Sequence, residues 1–184
     1  MDRHRLQPPV TTEEVQRLQA GDVVYITGTI YTARDAAHKR LIEALSASQP
    51  LPLELDGQII YYVGPTPAKP GRISGSAGPT TSGRMDPYTL TLLEQGLKVM
   101  IGKGRRSPEV VTAMQEFGAV YLGIVGGTAA LVAQAIKKVD VVAYADLGAE
   151  AIHRFYVENL VTIVLIDSMG HDLYESEPAK YTLS

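Results

Sequence analysis

Between Asp86 and Tyr144 the sequence swings repeatedly between a helical pattern and a short apolar, β-branched run, with glycines marking most of the changes. A helix is predicted from Asp86 to about Gln95, stopped at Gly96, and then a strand over Leu97–Ile101. Ser107-Pro108-Glu109 reads as the cap of a second helix running to Phe117-Gly118. A strand over Ala119–Val125, a turn at Gly126-Gly127-Thr128, a helix over Ala129–Ile136 and a strand over Asp140–Tyr144 follow. Strands alternating with helices restrict the chain to a layered α/β domain with mainly parallel pairing. In such sheets the loops that leave the carboxyl ends of the strands gather at one crevice.

The remaining segments fill in this plan. Residues 1–10, charged and then Pro8-Pro9, read as an arm, and Glu13–Gln19 as a short helix capped at Thr11-Thr12 and stopped at Gly21. The expected division is therefore an arm and helix over 1–20 and a single functional domain over 21–184. Asp22–Tyr31 is a predicted strand. Thr32-Ala33-Arg34-Asp35 fits a capping box with Thr32 as cap, opening a helix with Ala37, Leu41, Ala44 and Leu45 on one face. Gln58–Val63 reads as a buried strand and Ile73 as the tail of another. Phe155–Val157 and Leu160–Ile166 read as two further strands.

One loop stands out chemically. Gly75-Ser76-Ala77-Gly78-Pro79-Thr80-Thr81-Ser82-Gly83-Arg84 carries glycines, hydroxyls and an arginine, and runs into the helix start at Asp86-Pro87. Backbone N–H groups at a helix start, with a planar guanidinium beside them, suit a carboxylate or phosphate. Three other loops are expected at the same crevice: Thr29–Asp35, Gly102–Ser107 and Ile124–Thr128. Arg34, Arg84 and Lys103 then supply three cations from three loops, a match for a small dicarboxylate. A nucleotide is a poorer fit, since no GxxxxGK[ST] and no strand-opening GxGxxG is present. Arg105-Arg106 is expected to be solvated surface, and His38 an ordinary surface or core-edge histidine.

Composition removes other chemistries. The 184 residues are 45% hydrophobic with net charge -3, from 17 basic and 20 acidic side chains, so no basic face for nucleic acid is expected. No apolar run is long enough for a membrane span and no signal peptide is read, which gives an expected cytoplasmic location. There is no cysteine, and the four histidines are scattered, so this chain alone is expected to hold no metal or cluster. No Ser/His/Asp set, no G-x-S-x-G and no carboxylate pair is evident. The residues by themselves describe a binding domain without a complete catalytic set.

The runs Thr27–Arg40 (TGTIYTARDAAHKR), Gly64-Pro65, Gly75–Asp86 (GSAGPTTSGRMD), Gly102-Lys103-Gly104 and Tyr121–Gly127 resemble the β subunit of class I iron–sulfur fumarate hydratase, and more distantly that of L-tartrate dehydratase. The resemblance covers about residues 20–175. It implies a swivelling β/β/α sandwich and reversible hydration of fumarate to L-malate. It also implies a [4Fe–4S] cluster carried by a separate cysteine-bearing α subunit, in an (αβ)2 assembly. Carried onto matching positions, Arg34, Arg84 and Lys103 become substrate-carboxylate ligands and Thr80 the residue that moves the C3 proton, with Asp35, His38 and Thr81 in support. The Ile30–Arg34 and Tyr121–Gly127 runs favour fumarate over tartrate. A non-catalytic anion-binding module is the competing expectation from another class.

Overall fold

The computed structural model describes residues 2–68, 70–71, 73–124 and 129–176. Its strands are β1 (Arg3–Leu6), β2 (Val23–Thr32), β3 (Ile59–Tyr61), β4 (Val99–Gly102), β5 (Val120–Ile124), β6 (Ile136–Ala143) and β7 (Ile152–Ile166). Its α-helices are α1 (Thr12–Gln16), α2 (Asp35–Ser46), α3 (Asp86–Glu94), α4 (Pro108–Phe117) and α5 (Ala129–Ala135), with 3-10 turns at Ser82–Met85 and Ala145–Glu150. The strands form one mixed sheet in the order β1-β2-β3-β4-β5-β7-β6.

Neighbours from β1 to β5 are parallel, as the βα alternation requires. The long β7 runs antiparallel to them. It pairs with β2 from Val23↔Ile163 to Thr32↔His153 and with β5 from Tyr121↔Ile166 to Ile124↔Thr162. Pairings β2-β3-β4-β5-β7 and back to β2 therefore close a circuit, and β6 extends β7 outward.

Strand alternation divides the interior in two. Ile59, Tyr61, Val99, Ile101, Val120 and Leu122 point to one core, shared with Phe155, Val157 and Val164 of β7. Ile60, Tyr62, Met100 and Tyr121 point to the other, under Ala37 and Leu41 of α2, Leu92 and Leu93 of α3, and Val110 and Met114 of α4. Burial of each large side chain contributes about 1.5–3 kcal/mol. With both faces covered, the central strands read as continuous apolar runs.

Several expectations change. Arg3–Leu6 is not a free arm but an edge strand, anchored where Asp22 accepts hydrogen bonds from the Asp2 N–H at 2.7 Å and faces His4 Nε2 at 2.9 Å. The two strands expected after Phe155 are one strand with a bulge. Asn159 takes φ 48°, a left-handed conformation that asparagine tolerates, and its N–H donates to Thr27 Oγ1 at 3.0 Å. Ile73 is exposed and in no strand. Thr32 does not cap α2, because its hydroxyl accepts the His153 N–H across the sheet at 3.1 Å. α4 follows the sequence closely: Ser107 accepts from the Val110 N–H and Gly118 closes the helix at φ 62°. Among the described residues no helix is long and apolar enough to cross a membrane.

Candidate functional site

The carboxyl ends of β2, β3 and β4 lie side by side because the three strands are parallel neighbours. β2 ends at Thr32, and the chain turns through Arg34 into α2. Arg34 occupies the N-cap position, where a cation opposes the helix dipole. The conflict is relieved by Glu150, from the 3-10 turn before β7. One Glu150 oxygen lies 3.5 Å from Arg34 Nη2, and the other accepts the Ala36 N–H at 3.0 Å. Glu150 thus caps α2 in the place expected of Thr32. Gly64, beyond β3, packs directly on Arg34: a Cβ there would sit 2.9 Å from Arg34 Nη1 and from the Ala149 carbonyl. Arg34 Nε is buried without a protein partner.

Asp35 joins this segment to the glycine-rich loop. Its Oδ1 accepts from Arg84 Nε at 2.9 Å, whereas its Oδ2 is buried and unpartnered. The loop itself is pinned along its length. Thr66 and Ser76 exchange backbone and hydroxyl bonds, the Tyr61 hydroxyl donates to the Ala77 carbonyl, and the Thr80 N–H donates to the Tyr62 carbonyl at 2.8 Å. Thr81 then forms a parallel bridge with Lys103, at the end of β4. The Ser82 N–H donates to the Lys103 carbonyl at 2.9 Å, and the Lys103 N–H returns a bond to Ser82 Oγ at 3.1 Å. Gly102 permits this approach, since a Cβ there would fall 1.9 Å from Ser82 Oγ. Asp86 is no local helix cap; its carboxylate reaches across to the Ser107 N–H at 2.7 Å.

Arg106 departs from the expectation of solvated surface. Its side chain is 0% exposed, with Nε 2.7 Å from Asp86 Oδ1 and Nη2 2.8 Å from Thr89 Oγ1. Its guanidinium carbon lies 5.4 Å from the Tyr62 ring centre and 5.1 Å from that of Tyr121. The sequence offers no sign of this, because Asp86 and Arg106 meet only through the packing of α3 against α4. Glu150, Ser82 and Tyr121 escape sequence reading for the same reason.

His38 is also not at the surface. It is fully buried, with its ring 5.3 Å from that of Tyr62. Its Nδ1 lies 2.9 Å from the Arg34 carbonyl, so Nδ1 carries the proton and donates, while Nε2 is buried without a partner. Burial depresses its pKa to about 4 and keeps the ring neutral, despite the opposing bond to Arg34. It braces the backbone of Arg34 and does not act as an exposed base.

The structure thus joins Arg34, Asp35 and Arg84 by direct contact, and Thr80, Thr81 and Lys103 through the Ser82 segment. The fourth expected loop lies outside the described residues beyond Ile124. A cavity of about 580 Å3 lies elsewhere, between α1 and the Asp167 turn at the amino ends of the parallel strands.

The sequence profile of the Fumarase C-terminus family matches residues 2–177. The chain belongs to the Fumarase C-terminus family. This fumarase C-terminus domain is 43% identical over 169 residues to "Fumarate hydratase 1, mitochondrial" of Leishmania major, covering 91% of this chain and 31% of that relative. It is 43% identical over 152 residues to "Fumarate hydratase class I, anaerobic" of Escherichia coli, covering 82% and 28%. It is also 40% identical over 172 residues to "Putative L(+)-tartrate dehydratase subunit beta" of Methanocaldococcus jannaschii, covering 90% and 88%. The domain therefore spans about a third of the fumarate hydratases it matches and most of the tartrate dehydratase subunit. Its residues do not suit an iron–sulfur cluster: there is no cysteine, and no group of three His, Asp or Glu able to hold a metal occurs among the described residues.

Proposed function

We propose that this fumarase C-terminus domain is the dicarboxylate-clamping β subunit of a class I fumarate hydratase, working with a separate cysteine-bearing α subunit that holds the [4Fe–4S] cluster. The observation that carries the reading is the meeting of three cation-bearing loops. Asp35 ties Arg84 to the Arg34 segment at 2.9 Å, and Thr81 bridges to Lys103. The near full-length match to a β subunit supports a two-chain arrangement. The closed circuit of strands with helices over one face supports a swivelling β/β/α sandwich.

Two carboxylates of a four-carbon diacid are gripped by Arg34, Arg84 and Lys103, with Arg84 the most open of the two arginines. The same cations stabilise the negative charge that builds on the adjacent carboxylate as the C3 proton of malate leaves. Thr80 receives that proton. It can do so only as the alkoxide, after its own hydroxyl proton has passed to an acceptor, the assisting aspartate of the α subunit in the family this chain resembles. The neighbouring cations lower the cost of that alkoxide. The Thr80 backbone is fixed by the bond to Tyr62. The Ile30–Arg34 run of β2 and its turn favours fumarate as substrate over tartrate.

The test is an anaerobic reconstitution of the αβ pair, assayed with fumarate, L-tartrate and mesaconate side by side. Interconversion of fumarate and malate is expected. Turnover of tartrate alone moves the assignment to tartrate dehydratase. Dicarboxylate binding without turnover by any reconstituted pair makes the domain an anion-binding module.

A further inference from the structure

Resting on that reading, we propose that Tyr121 and Ser82 are positioning residues that set Lys103 against the substrate, through a one-way relay of hydrogen bonds that clasps the lysine's peptide from both sides. Ser82 Oγ accepts the Lys103 N–H at 3.1 Å. The Tyr121 hydroxyl oxygen lies 2.8 Å from Ser82 Oγ and 3.0 Å from the Gly104 carbonyl. A phenol has one proton and a carbonyl only accepts, so the proton count admits one arrangement that satisfies all three oxygens. Lys103 N–H donates to Ser82, the Ser82 O–H donates to Tyr121, and the Tyr121 O–H donates to Gly104. The relay begins at the residue that carries the cation and ends at the carbonyl immediately after it.

The surroundings hold the relay in register. Ser82 is 0% exposed, and its N–H donates to the Lys103 carbonyl. Gly102 leaves room for Ser82 Oγ, and Gly104 turns the chain at φ 83°. Tyr121 is fully buried, so its phenol stays protonated and available to donate, and the Arg106 guanidinium lies over its ring. On the outer side the Gly104 N–H donates to the Tyr174 hydroxyl at 3.0 Å and Arg105 Nη2 donates to the Tyr174 carbonyl at 2.9 Å. The lysine loop is fixed before and after the cation, whereas Lys103 itself is exposed. The side chain that must meet the ligand is the one left free.

The experiment is a double-mutant cycle on the intact αβ pair. The binding of succinate, an unreactive four-carbon dicarboxylate, is measured by calorimetry for Tyr121→Phe, Lys103→Ala and the double variant. Tyr121→Phe removes only the relay hydroxyl and is expected to weaken succinate roughly tenfold. In the Lys103→Ala background the same change is expected to have less than a twofold effect, because the residue it positions is gone. An equal loss in both backgrounds overturns the proposal and leaves Tyr121 a packing residue. Ser82→Ala breaks the relay at its other end and repeats the test if the tyrosine variant folds poorly. Amide exchange at Lys103 in the full chain is an independent readout, expected to quicken at least fivefold in either variant. Unchanged exchange overturns the relay even if the wild-type pair neither binds nor hydrates a dicarboxylate, an outcome that would overturn the fumarase assignment alone.

Discussion

The two ends of the parallel strands use charged side chains in opposite ways. At the amino end, Asp22 accepts the N–H groups of Asp2 and Gln19 and faces His4, and Asp167 accepts those of Ala20, Met169 and His171 and faces the His171 ring. Each carboxylate there is saturated by its own chain. At the carboxyl end, Arg84 is 54% exposed with one bond to Asp35, and Arg34 Nε and Asp35 Oδ2 lack protein partners. A charge whose hydrogen-bonding capacity is filled internally is a fastener. A charge held at one edge and open at the other is available to a ligand.

Disrupting the buried support beneath the open end is expected to have the largest effect on stability. Arg106→Ala leaves Asp86 without its buried partner, and a loss of about 3–5 kcal/mol is expected by denaturant titration. Retention of stability to within about 1 kcal/mol would show that Asp86 is resolvated and that the pair is no fastener.

His38 sharpens the comparison through pH. Its pKa falls from 6.5 in the unfolded chain to about 4 in the fold, so between these values the unfolded chain binds the extra proton. Stability must then decrease as pH drops from about 6.5 toward 4, by on the order of 3 kcal/mol for this group. His38→Asn, which keeps a donor for the Arg34 carbonyl, is expected to flatten that part of the stability–pH curve. A curve of unchanged slope would contradict a buried neutral ring.

Arg84→Ala should separate binding from stability. The exposed pair with Asp35 contributes at most about 1 kcal/mol to folding. On the proposed function, loss of a charge-assisted contact to a substrate carboxylate should nevertheless lower kcat/KM of the reconstituted pair by roughly 10- to 100-fold. A variant as active as wild type would place Arg84 among the fasteners.

The smallest change is expected from Asp22→Asn, at the saturated end. Burial raises the pKa of Asp22, but the N–H groups of Asp2 and Gln19 and the His4 ring outweigh it and hold the carboxyl below its usual range. Stability from a depressed carboxyl is complete above the unfolded pKa of about 3.9 and is lost as pH falls through the lower folded value. The variant should cost about 1 kcal/mol at pH 7, less in acid, and leave kcat/KM unchanged. A change in substrate affinity would mean that the two ends are coupled.

The parallel strands and the helices between them were legible because burial on both faces writes continuous apolar runs, and because Ser107 and Gly118 are strong local signals at the ends of α4. Arg34, Arg84 and Lys103 stood out as cations in three loops expected to share one crevice. The antiparallel return of β7, its bulge at Asn159 and the edge strand β1 were not legible, since pairing partners are set by contacts far apart in sequence. Arg106 looked like a surface residue for the same reason.

Sequence alone therefore determined the alternation of strands and helices through the middle of the chain, which residues carry charge in the loops between them, and that no thiolate ligand exists in this chain. Tertiary structure decided which of those charges are spent on one another. The Arg106–Asp86 contact, the Glu150 cap on α2 and the Ser82–Tyr121–Gly104 relay join residues from different elements. Local propensity is written over a few neighbouring residues, but the desolvation and pairing of a charge depend on every element packed around it.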